Sequence, residues 1–428
     1  MNLTPEQAAQ GRRNFLKILA GTPALAALGA TAALKGPVRG GPVRVGFVGV
    51  GGQGRVLLSN VDPAFAEVRA LCDINPSSLS RADQVLTRNQ VPPARHYAEC
   101  SEMLQKEDIE AVIMAPPLWA HAELASLCLD AGKHVLCEKM MAWDIAGCER
   151  MGETARRSGK VLEIGYQRNY NAMYQAAYDG IVKSGVLGDI FHVRLAWHRN
   201  GNWRRKGEPP SPDYDPSKWG YPTFEHLMNW RLYWKYSQGL IAELCSHQLN
   251  ATNWFLGSKP EAVSASGGVY RFKDGREVFD HLYATFEYPN GQTAVFSSIE
   301  SNAFDDYYEM FLGTKGTLIL RRETEALFFE EGGGEGGPTS LSVAPQTGGP
   351  AAVSSETQAR NTNQATDQRS AVTPLFERPR STRLQIQRFC SAIRVGTPLA
   401  CGPDKAFDSA RSCIRANEAA KQKAWLAV

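Results

Sequence analysis

Short apolar runs alternate with amphipathic helical patterns over the first half of the chain. The apolar runs cover residues 43–48, 68–72, 111–115, 134–137 and 161–166. Strands of a parallel sheet are buried on both faces and need helical connections, so this alternation is typical of a doubly wound parallel sheet. We therefore predict an α/β domain over residues 41–166.

The pattern changes after a helical stretch near residues 171–184. Aromatic-rich runs with alternating apolar and polar positions follow, at 190–199, 262–272, 280–288, 291–301, 307–313 and 316–322. Pro289-Asn290-Gly291 separates two of these runs and is typical of a hairpin turn. The alternation predicts an α+β domain over residues 167–380, built on a large and mostly antiparallel sheet. Such a sheet leaves a face that needs cover, so we expect a homo-oligomer.

Three kinds of segment complete the organisation. Residues 200–240 are a long connection dense in Trp, Tyr, Arg and Pro, and its aromatic content favours an ordered structure. Residues 331–374 are a tract of Gly, Ser, Thr, Gln and Ala that we expect to be flexible, because it offers little apolar surface to bury. The helical patterns at 381–395 and 403–424 are expected to pack on the first domain.

The composition excludes several classes of protein. The chain has 428 residues, of which 43% are hydrophobic and 21% are charged, as is ordinary for a globular enzyme of more than one domain. The net charge is only +3 and no long basic run follows the N-terminal segment, so a nucleic-acid-binding protein is not indicated. The 9 cysteines show no paired spacing, which argues against a disulfide framework and against a metal site.

The N-terminal residues have the pattern of an export signal. Gly11-Arg12-Arg13-Asn14-Phe15-Leu16-Lys17 precedes an uncharged run of small apolar residues that ends at residue 34. Paired arginines before Phe-Leu-Lys resemble the twin-arginine signals that carry folded proteins across the bacterial inner membrane. The run is less apolar than the segment of about 20 residues that spans a membrane. We therefore expect residues 1–40 to be an export signal and linker, a periplasmic location, and no stable membrane partner beyond the export machinery.

A glycine-rich turn lies between the first predicted strand and a helical segment. Residues 49–55 read Gly-Val-Gly-Gly-Gln-Gly-Arg. In this setting Gly49, Gly51 and Gly54 would give the tight turn, the close approach of a pyrophosphate and the close packing of helix on strand. The pattern predicts a dinucleotide-binding Rossmann domain, and we assign Gln53 and Arg55 of the same turn to the cofactor site.

Asp73 ends the second predicted strand, at a distance from the glycine turn that is typical of nucleotide-binding domains. A carboxylate at this place accepts hydrogen bonds from the adenosine ribose and repels a 2'-phosphate. Asp73 therefore indicates NAD as the cofactor and makes NADP the less favoured alternative, which a nearby cation such as Arg81 would still permit. Asn75 before Pro76 is the better candidate for the cap of the following helix.

Two further segments bring the chain close to a known family. Residues 111–121 are followed by 131–139, which ends in Glu138-Lys139, and residues 239–247 contain Glu243 and His247. Together with the glycine turn, these motifs occur in the order found in the Gfo/Idh/MocA family of NAD(P)-dependent oxidoreductases, which includes inositol dehydrogenases and glucose-fructose oxidoreductase. The chain resembles that family over nearly all of residues 43–330 and over the closing helices.

The resemblance implies roles for four residues. Glu138 would bind the nicotinamide ribose and Lys139 the reacting hydroxyl. Glu243 and His247 would face the substrate, and their spacing of four places both on one side of a helix. His247 is then the natural acceptor of the hydroxyl proton near neutral pH. Lys139 would polarise the oxygen or share the proton, and Glu243 would orient the histidine or bind a second hydroxyl.

Two positions depart from the family pattern. Met140 stands where the family usually has Pro, and the peptide bond before that residue is often cis in the family. Because a cis bond before a residue other than Pro is rare, the resemblance leaves the conformation of the Lys139-Met140 bond open. Glu243 replaces the usual Asp and its side chain is one methylene longer.

Other residues join the predicted site through the same resemblance. Pro116 and His121 are placed beside the cofactor. Gln167 and Arg168 resemble a turn on the substrate side, and we also assign Gln167 to the cofactor site. Packing would explain each of these residues as well as a ligand contact would.

The resemblance and the export signal together predict an exported oxidoreductase that transfers a hydride between a tightly held nicotinamide cofactor and a secondary hydroxyl of a sugar or glycoside. The aromatic, Arg, Asn and His side chains of residues 197–234 suit a sugar, although packing or a subunit contact would explain them too. Free NAD is not expected outside the cytoplasm, so the cofactor should be retained and regenerated in place. Two alternatives stay open: an NAD-dependent glycosidase or lyase acting through a transient 3-keto glycoside, and a non-catalytic NAD-bound sugar-binding protein.

Overall fold

The computed structural model describes residues 3–20, 40–331 and 378–428. The first domain is built on a sheet of six strands in the order β3-β2-β1-β4-β5-β6. The strands are β1 (Val43–Val48), β2 (Ala66–Cys72), β3 (Arg95–Tyr97), β4 (Ala111–Met114), β5 (His134–Cys137) and β6 (Leu162–Ile164). All pairings in this sheet are parallel, so the predicted doubly wound parallel sheet is confirmed.

Helices connect these strands and cover the sheet. They are α2 (Gly52–Ser59), α3 (Pro76–Arg88), α4 (Cys100–Lys106), α5 (His121–Asp130) and α6 (Ile145–Ser158). Asn75 caps α3 by accepting a hydrogen bond from the amide of Ser77, as the sequence predicts. β2 and β3 lie on one side of β1 in the sheet, and β4, β5 and β6 lie on the other. Because the strand order reverses between β1 and β4, a crevice opens at the carboxyl ends of these two strands.

The second domain is built on a sheet of eight strands in the order β13-β12-β11-β7-β10-β9-β8-β14. The strands are β7 (Ile190–Asn200), β8 (Ala262–Gly268), β9 (His281–Glu287), β10 (Thr293–Ile299), β11 (Ser301–Gly313), β12 (Gly316–Arg321), β13 (Glu325–Glu330) and β14 (Trp425–Ala427). β7 and β10 pair in parallel and the other pairs are antiparallel, so the mostly antiparallel second sheet is confirmed. β9 and β10 form the predicted hairpin, whose turn is closed by a hydrogen bond of 2.9 Å from the Tyr288 amide to the Gln292 carbonyl.

Three strands escape the sequence pattern, for two reasons. β3 and β14 have only three residues each, and β3 buries Tyr97 alone. Runs that short and that exposed carry no periodicity. β13 is longer, but only residues 322–324 separate it from β12. The sequence pattern of the two strands therefore resembles a single run that is interrupted by polar residues.

The remaining helices join the two domains. They are α1 (Pro5–Ala20), α7 (Ala172–Ala177), α8 (Phe224–Met228), α9 (Ser246–Leu256), α10 (Arg378–Val395) and α11 (Pro403–Gln422). α10 places Ile386, Phe389 and Cys390 in the core of the first domain. α11 packs against α6 of the first domain and against β8 and α9 of the second. The structure thus puts one closing helix on the first domain and the other between both domains.

α1 carries the twin arginines and lies against the second domain. Its buried side comprises Gly11, Phe15 and Leu19, and it packs on β13. Arg12 forms an ion pair with Glu325 at the start of that strand. Most of the apolar run of the predicted signal and nearly all of the tract 331–374 lie outside the described residues. Within the described residues, no helix combines the length and the apolar character that a membrane crossing needs.

All 9 cysteines are free and buried. Among the described residues there is also no group of three or more His, Cys, Asp or Glu side chains arranged to hold a metal ion. The cysteine side chains therefore serve as small apolar residues of the core.

Candidate active site

Three glycines shape the turn between β1 and α2. Gly49 has a φ of +76°, and a Cβ there would lie 2.6 Å from the backbone nitrogen of Pro116. A Cβ on Gly54 would lie 2.0 Å from the carbonyl oxygen of Gly49, so both positions need glycine for packing. Gly51 differs, because a Cβ there would meet no atom within 4 Å. Packing within the described chain therefore does not account for Gly51, whereas a ligand lying against the turn would.

A cavity of about 960 Å³ opens beside this turn, at the carboxyl ends of β1, β2 and β4. Its size suits a dinucleotide. Six residues assigned to the cofactor line it: Gly49, Gly51, Gln53, Arg55, Asp73 and Pro116. The other assigned residues do not line it; they are Gly54, His121, Glu138, Lys139, Gln167, Glu243 and His247.

Asp73 lies at the end of β2 with both carboxylate oxygens hydrogen-bonded. Oδ2 accepts from the amide of Val50 in the glycine turn and Oδ1 from the amide of Asn75, each at 2.8 Å. Burial raises the pKa of the Asp73 carboxyl to about 6, against the opposing effect of these two amides and of nearby Arg81. The carboxylate thus faces the cavity from a fixed position and titrates close to neutral pH.

The glycine turn is tied to the end of β5. Gln53 donates from Nε2 to Oε1 of Glu138 at 2.7 Å, and the amide of Lys139 donates to Oε2 of Glu138 at 3.1 Å. Glu138 itself is buried. This chain of contacts places Glu138 and Lys139 directly behind the lining of the cavity.

Lys139 reaches from the first domain to the second. Its Nζ donates to the carbonyl oxygen of Glu243 at 3.0 Å and lies 3.5 Å from that of Ala242. The Lys139-Met140 peptide bond is cis, which answers the question that the missing proline left open. Lys139 therefore meets the short π-helical segment Ile241–Cys245, which carries Glu243 and leads directly into α9.

Glu243 is held by a cation from the cavity wall. Arg231 donates from Nε to a carboxylate oxygen of Glu243 at 2.9 Å. Burial alone would raise the pKa of Glu243, but Arg231, Lys139 and Arg199 outweigh it and hold the pKa at about 2. Glu243 is therefore ionised, and its described partner is Arg231 rather than His247.

His247 lies in the first turn of α9 and is 3% exposed. Its ring packs between two aromatic side chains, with centroid distances of 6.1 Å to both Tyr166 and Trp197. His247 lies four positions after Glu243, whose carbonyl Lys139 contacts.

His121, Gln167 and Arg168 each have polar contacts within the described chain. The ring nitrogens of His121 lie 2.9 Å from the Met140 carbonyl and 3.1 Å from the Pro116 carbonyl, so the ring links the segments that follow β4 and β5. Burial lowers the pKa of His121. Gln167 donates to Glu323 at 3.4 Å.

Arg168 is buried beside Gln167 and pairs with two carboxylates of the second sheet. It forms ion pairs with Glu309 and, at 3.1 Å, with Glu323. The side chains of this turn thus enter a buried polar cluster of the second domain, where they meet two acidic residues distant in sequence.

The long connection of residues 200–240, here called the bridging segment, supplies the cavity wall that the sequence did not assign. Its lining residues include Arg205, Trp219, Tyr221, Trp230 and Arg231. The density of Arg and aromatic residues in this segment is visible in the sequence, where it suits a sugar as well as a cofactor. The structure places this segment over the cofactor side of the crevice.

Several hydrogen bonds fasten the bridging segment to the first domain. The Tyr214 hydroxyl donates to the Ile74 carbonyl at 3.0 Å, and Trp219 Nε1 donates to Glu99 at 3.2 Å. Two bonds run from first-domain indoles: Trp119 Nε1 to the Tyr221 hydroxyl at 2.7 Å, and Trp143 Nε1 to the Trp234 carbonyl at 2.9 Å. The cavity is therefore walled by both domains.

Comparisons with known proteins agree with this architecture. Residues 43–166 match the model of an oxidoreductase family with an NAD-binding Rossmann fold, and residues 176–319 match the GFO/IDH/MocA C-terminal domain. A glycosyl hydrolase family 109 protein of Shewanella baltica is 30% identical over 182 residues, 38% of this chain and 39% of that protein. An inositol 2-dehydrogenase of Salmonella paratyphi B is 30% identical over 198 residues, 44% of this chain and 54% of that protein.

These alignments span about two fifths to about half of the length of the curated relatives. Among solved structures, the WlbA dehydrogenase of Bordetella pertussis, in complex with NADH and UDP-GlcNAcA, is similar with a TM-score of 0.65. It is 18% identical in sequence, and the match covers 90% of this chain and 99% of that one. At this identity the likeness concerns the fold alone.

Proposed function

The chain belongs to the Gfo/Idh/MocA family of oxidoreductases with an NAD-binding Rossmann fold, and on this premise we propose that it transfers a hydride between NAD and a secondary hydroxyl of a sugar or glycoside. The observation that carries the proposal is the contact of Lys139 with the Glu243 carbonyl at 3.0 Å. It brings an ammonium of the first domain to the segment that leads into α9 of the second, the helix whose first turn carries His247. An ammonium and an imidazole are both groups that can handle the proton of a reacting hydroxyl.

The residues present fit a nicotinamide dinucleotide. Gly51 leaves open space at the N-terminus of α2, where backbone amides favour an anion. Asp73 would accept hydrogen bonds from the adenosine ribose, and Glu138 would bind the second ribose. Bound there, the cofactor supplies the acceptor and donor of the hydride.

Side chains of the protein would handle the hydroxyl proton and bind the sugar. Lys139 would donate a hydrogen bond to the oxygen of the reacting hydroxyl, and His247 would accept its proton. Arg231 keeps Glu243 ionised and fixed, so that Glu243 has one carboxylate oxygen engaged and the other suited to a second sugar hydroxyl.

The proposal is tested by following nicotinamide absorbance while purified protein meets a panel of sugars and glycosides. Reduction of protein-bound NAD by at least one of them is expected. Full cofactor content with no absorbance change on any sugar contradicts the oxidoreductase proposal and favours a sugar-binding protein. Protein that neither contains nor binds a nicotinamide dinucleotide contradicts the NAD proposal itself.

A second candidate function is a glycosidase or lyase in which one substrate is oxidised and then reduced again. The relatives named glycosyl hydrolase family 109 proteins favour it. A transient ketone acidifies the neighbouring C–H bond, and loss of that proton expels the aglycone. Release of a chromogenic aglycone without added NAD supports this route, whereas accumulation of reduced cofactor without release supports the simple dehydrogenase.

NAD affinity should depend on the ionisation of Asp73. The protonated acid cannot accept hydrogen bonds from both ribose hydroxyls, so a bound ribose favours the ionised form. With a pKa of about 6 in the free protein, the affinity is expected to be constant at higher pH. It should fall by up to about tenfold per pH unit below that value. Calorimetric titration across this range measures the effect.

Asp73→Asn is the matched control for this pH dependence. Its affinity is expected to be lower than that of the wild type above the Asp73 pKa and to lack the fall below it. The same slope in wild type and Asp73→Asn would show that another group titrates.

We also propose that the protein is exported to the periplasm through the twin-arginine route. The support is the Arg12-Arg13 pair before Phe15-Leu16-Lys17 and the apolar run that follows. The Arg12→Lys/Arg13→Lys double variant is expected to stay in the cytoplasm, because the charge is kept and the paired guanidinium groups are lost. Lys17→Arg, which also keeps the charge, should be exported normally. Cell fractionation measures both, and equal export of the double variant contradicts the proposal.

A further inference from the structure

Arg205 lies in the bridging segment at a position that the surrounding residues hold firmly. Its amide donates to Oδ1 of Asn229 at 2.6 Å, and its carbonyl accepts from Nδ2 of Asn229 at 3.1 Å. Asn229 is buried, and the neighbouring Arg204 pairs with Asp274. Both backbone groups of Arg205 are thus fixed by one side chain, which sets the direction of its own side chain.

That side chain faces the glycine turn across the cavity. A Cβ built on Gly52 would lie 3.9 Å from both terminal nitrogens of Arg205. Gly52 is the first residue of α2, so the guanidinium stands opposite the N-terminus of that helix. In a dinucleotide-binding turn, this is the place of the pyrophosphate.

The charge of the Arg205 guanidinium is not neutralised by a carboxylate of the described residues. Among the described residues, no hydrogen bond or ion pair engages it. Burial lowers the pKa of Arg205, and the neighbouring cations Arg231 and Arg55 lower it further, while Glu243 opposes them. Arg231 has its own carboxylate in Glu243, whereas Arg205 remains available to a ligand.

We propose that Arg205 binds the pyrophosphate of the dinucleotide from the second domain, opposite the glycine turn, and so clamps the cofactor between the two domains. The inference rests on the proposed use of NAD. A guanidinium can donate two parallel hydrogen bonds to phosphate oxygens, which a point charge such as Lys cannot reproduce.

We expect the clamp also to retain the cofactor. The pyrophosphate lies under the bridging segment, whose fastenings to the first domain include the Tyr214 bond to Ile74 and the Trp219 bond to Glu99. Release of the cofactor then requires Arg205 to leave the phosphates and the segment to detach. An enzyme that meets no free NAD gains from this arrangement, because a bound cofactor survives between turnovers.

The test measures the dissociation constants of NAD, ADP and adenosine for the full chain and for Arg205→Gln. ADP carries the two phosphates without the nicotinamide, and adenosine carries neither phosphate. Arg205→Gln is expected to weaken NAD and ADP by about 10- to 100-fold, as for loss of a hydrogen-bonded charge, and to change adenosine by less than about twofold. The NAD content of the protein as purified should fall in the same variant.

Lys218→Gln is the matched control, because Lys218 lies in the same segment, is exposed and does not line the cavity. It should leave all three constants unchanged. Arg205→Lys should weaken ADP less than Arg205→Gln does, and it carries the test if Arg205→Gln fails to fold.

Each outcome separates this inference from the proposed function. Wild-type protein that binds neither NAD nor ADP overturns the NAD proposal and the clamp together. Wild-type binding with no loss in Arg205→Gln or Arg205→Lys overturns the clamp alone. Equal losses for adenosine and ADP also overturn it, since the substitution then acts on the wall rather than on the phosphates.

Discussion

Lys139→Met is expected to lose about 10²- to 10⁴-fold in the rate of hydride transfer, the range for removal of a positioned acid–base group. The residue contacts the second-domain segment that leads to His247. Met keeps much of the length and the apolar stem of the side chain but has no group that can donate to a hydroxyl oxygen. Single-turnover absorbance of the bound nicotinamide, with the sugar that reacts best, measures the rate.

Two further measurements separate the chemical role of Lys139 from a structural one. Because its ammonium also donates to the Glu243 carbonyl, its loss could loosen the contact between the domains. NAD content and melting temperature should stay close to those of the wild type if the role is chemical. Lys106→Met, at an exposed site on α4, is the control and should react normally. A Lys139→Met enzyme that keeps the full wild-type rate would remove Lys139 from the reaction.

Arg168→Met is expected to destabilise the protein by about 3–5 kcal/mol, as when one partner of a buried ion pair is removed. Arg168, Glu309 and Glu323 are each 1% exposed, and the arginine is paired with both carboxylates. Without it, two buried acids must either stay charged without their cation or take up protons. Urea denaturation measures the free energy of unfolding.

Arg157→Met provides the comparison for this prediction. Arg157 pairs with Asp130 at 2.5 Å, but their side chains are 65% and 52% exposed. Loss of that pair should cost no more than about 1 kcal/mol, because water already screens it. Equal destabilisation by the two substitutions would show that the buried cluster contributes no more than a surface pair. Adding Glu309→Gln to Arg168→Met should restore part of the stability, since one buried charge is then removed.

The sequence predicted the parts of the fold whose cause is local. β1, β4 and β5 begin where the apolar runs begin, because a strand buried on both faces needs an uninterrupted run. The hairpin at Pro289-Asn290-Gly291 followed from the turn residues themselves. The short strand β3 carried no such signal, since it buries one residue of three.

The residues of the candidate site also fall into two groups, those whose position has a local cause in the sequence and those whose position does not. Gly49, Gly51 and Asp73 were found because a strand, a tight turn and a helix place them at a fixed spacing, and all three line the cavity. Gln167 and Arg168 stand in a comparable turn, yet their surroundings are set by acidic residues that come from β11 and from the turn before β13. Nothing in the neighbouring sequence reveals those partners.

The position of Arg205 could not be predicted from its neighbours in the sequence either. Its sequence neighbours suggested contact with a sugar, but its place opposite Gly52 depends on Asn229 and on the bonds that fasten the bridging segment to the first domain.

The sequence by itself determined two features of this protein: two sheets of different kinds, and a glycine turn shaped for a dinucleotide. Only the tertiary structure decided which charged side chains face the cavity and which neutralise each other. The physical reason is that backbone periodicity and turn geometry depend on residues close in the chain, whereas the partner of a buried charge is chosen by whatever distant segment packs beside it.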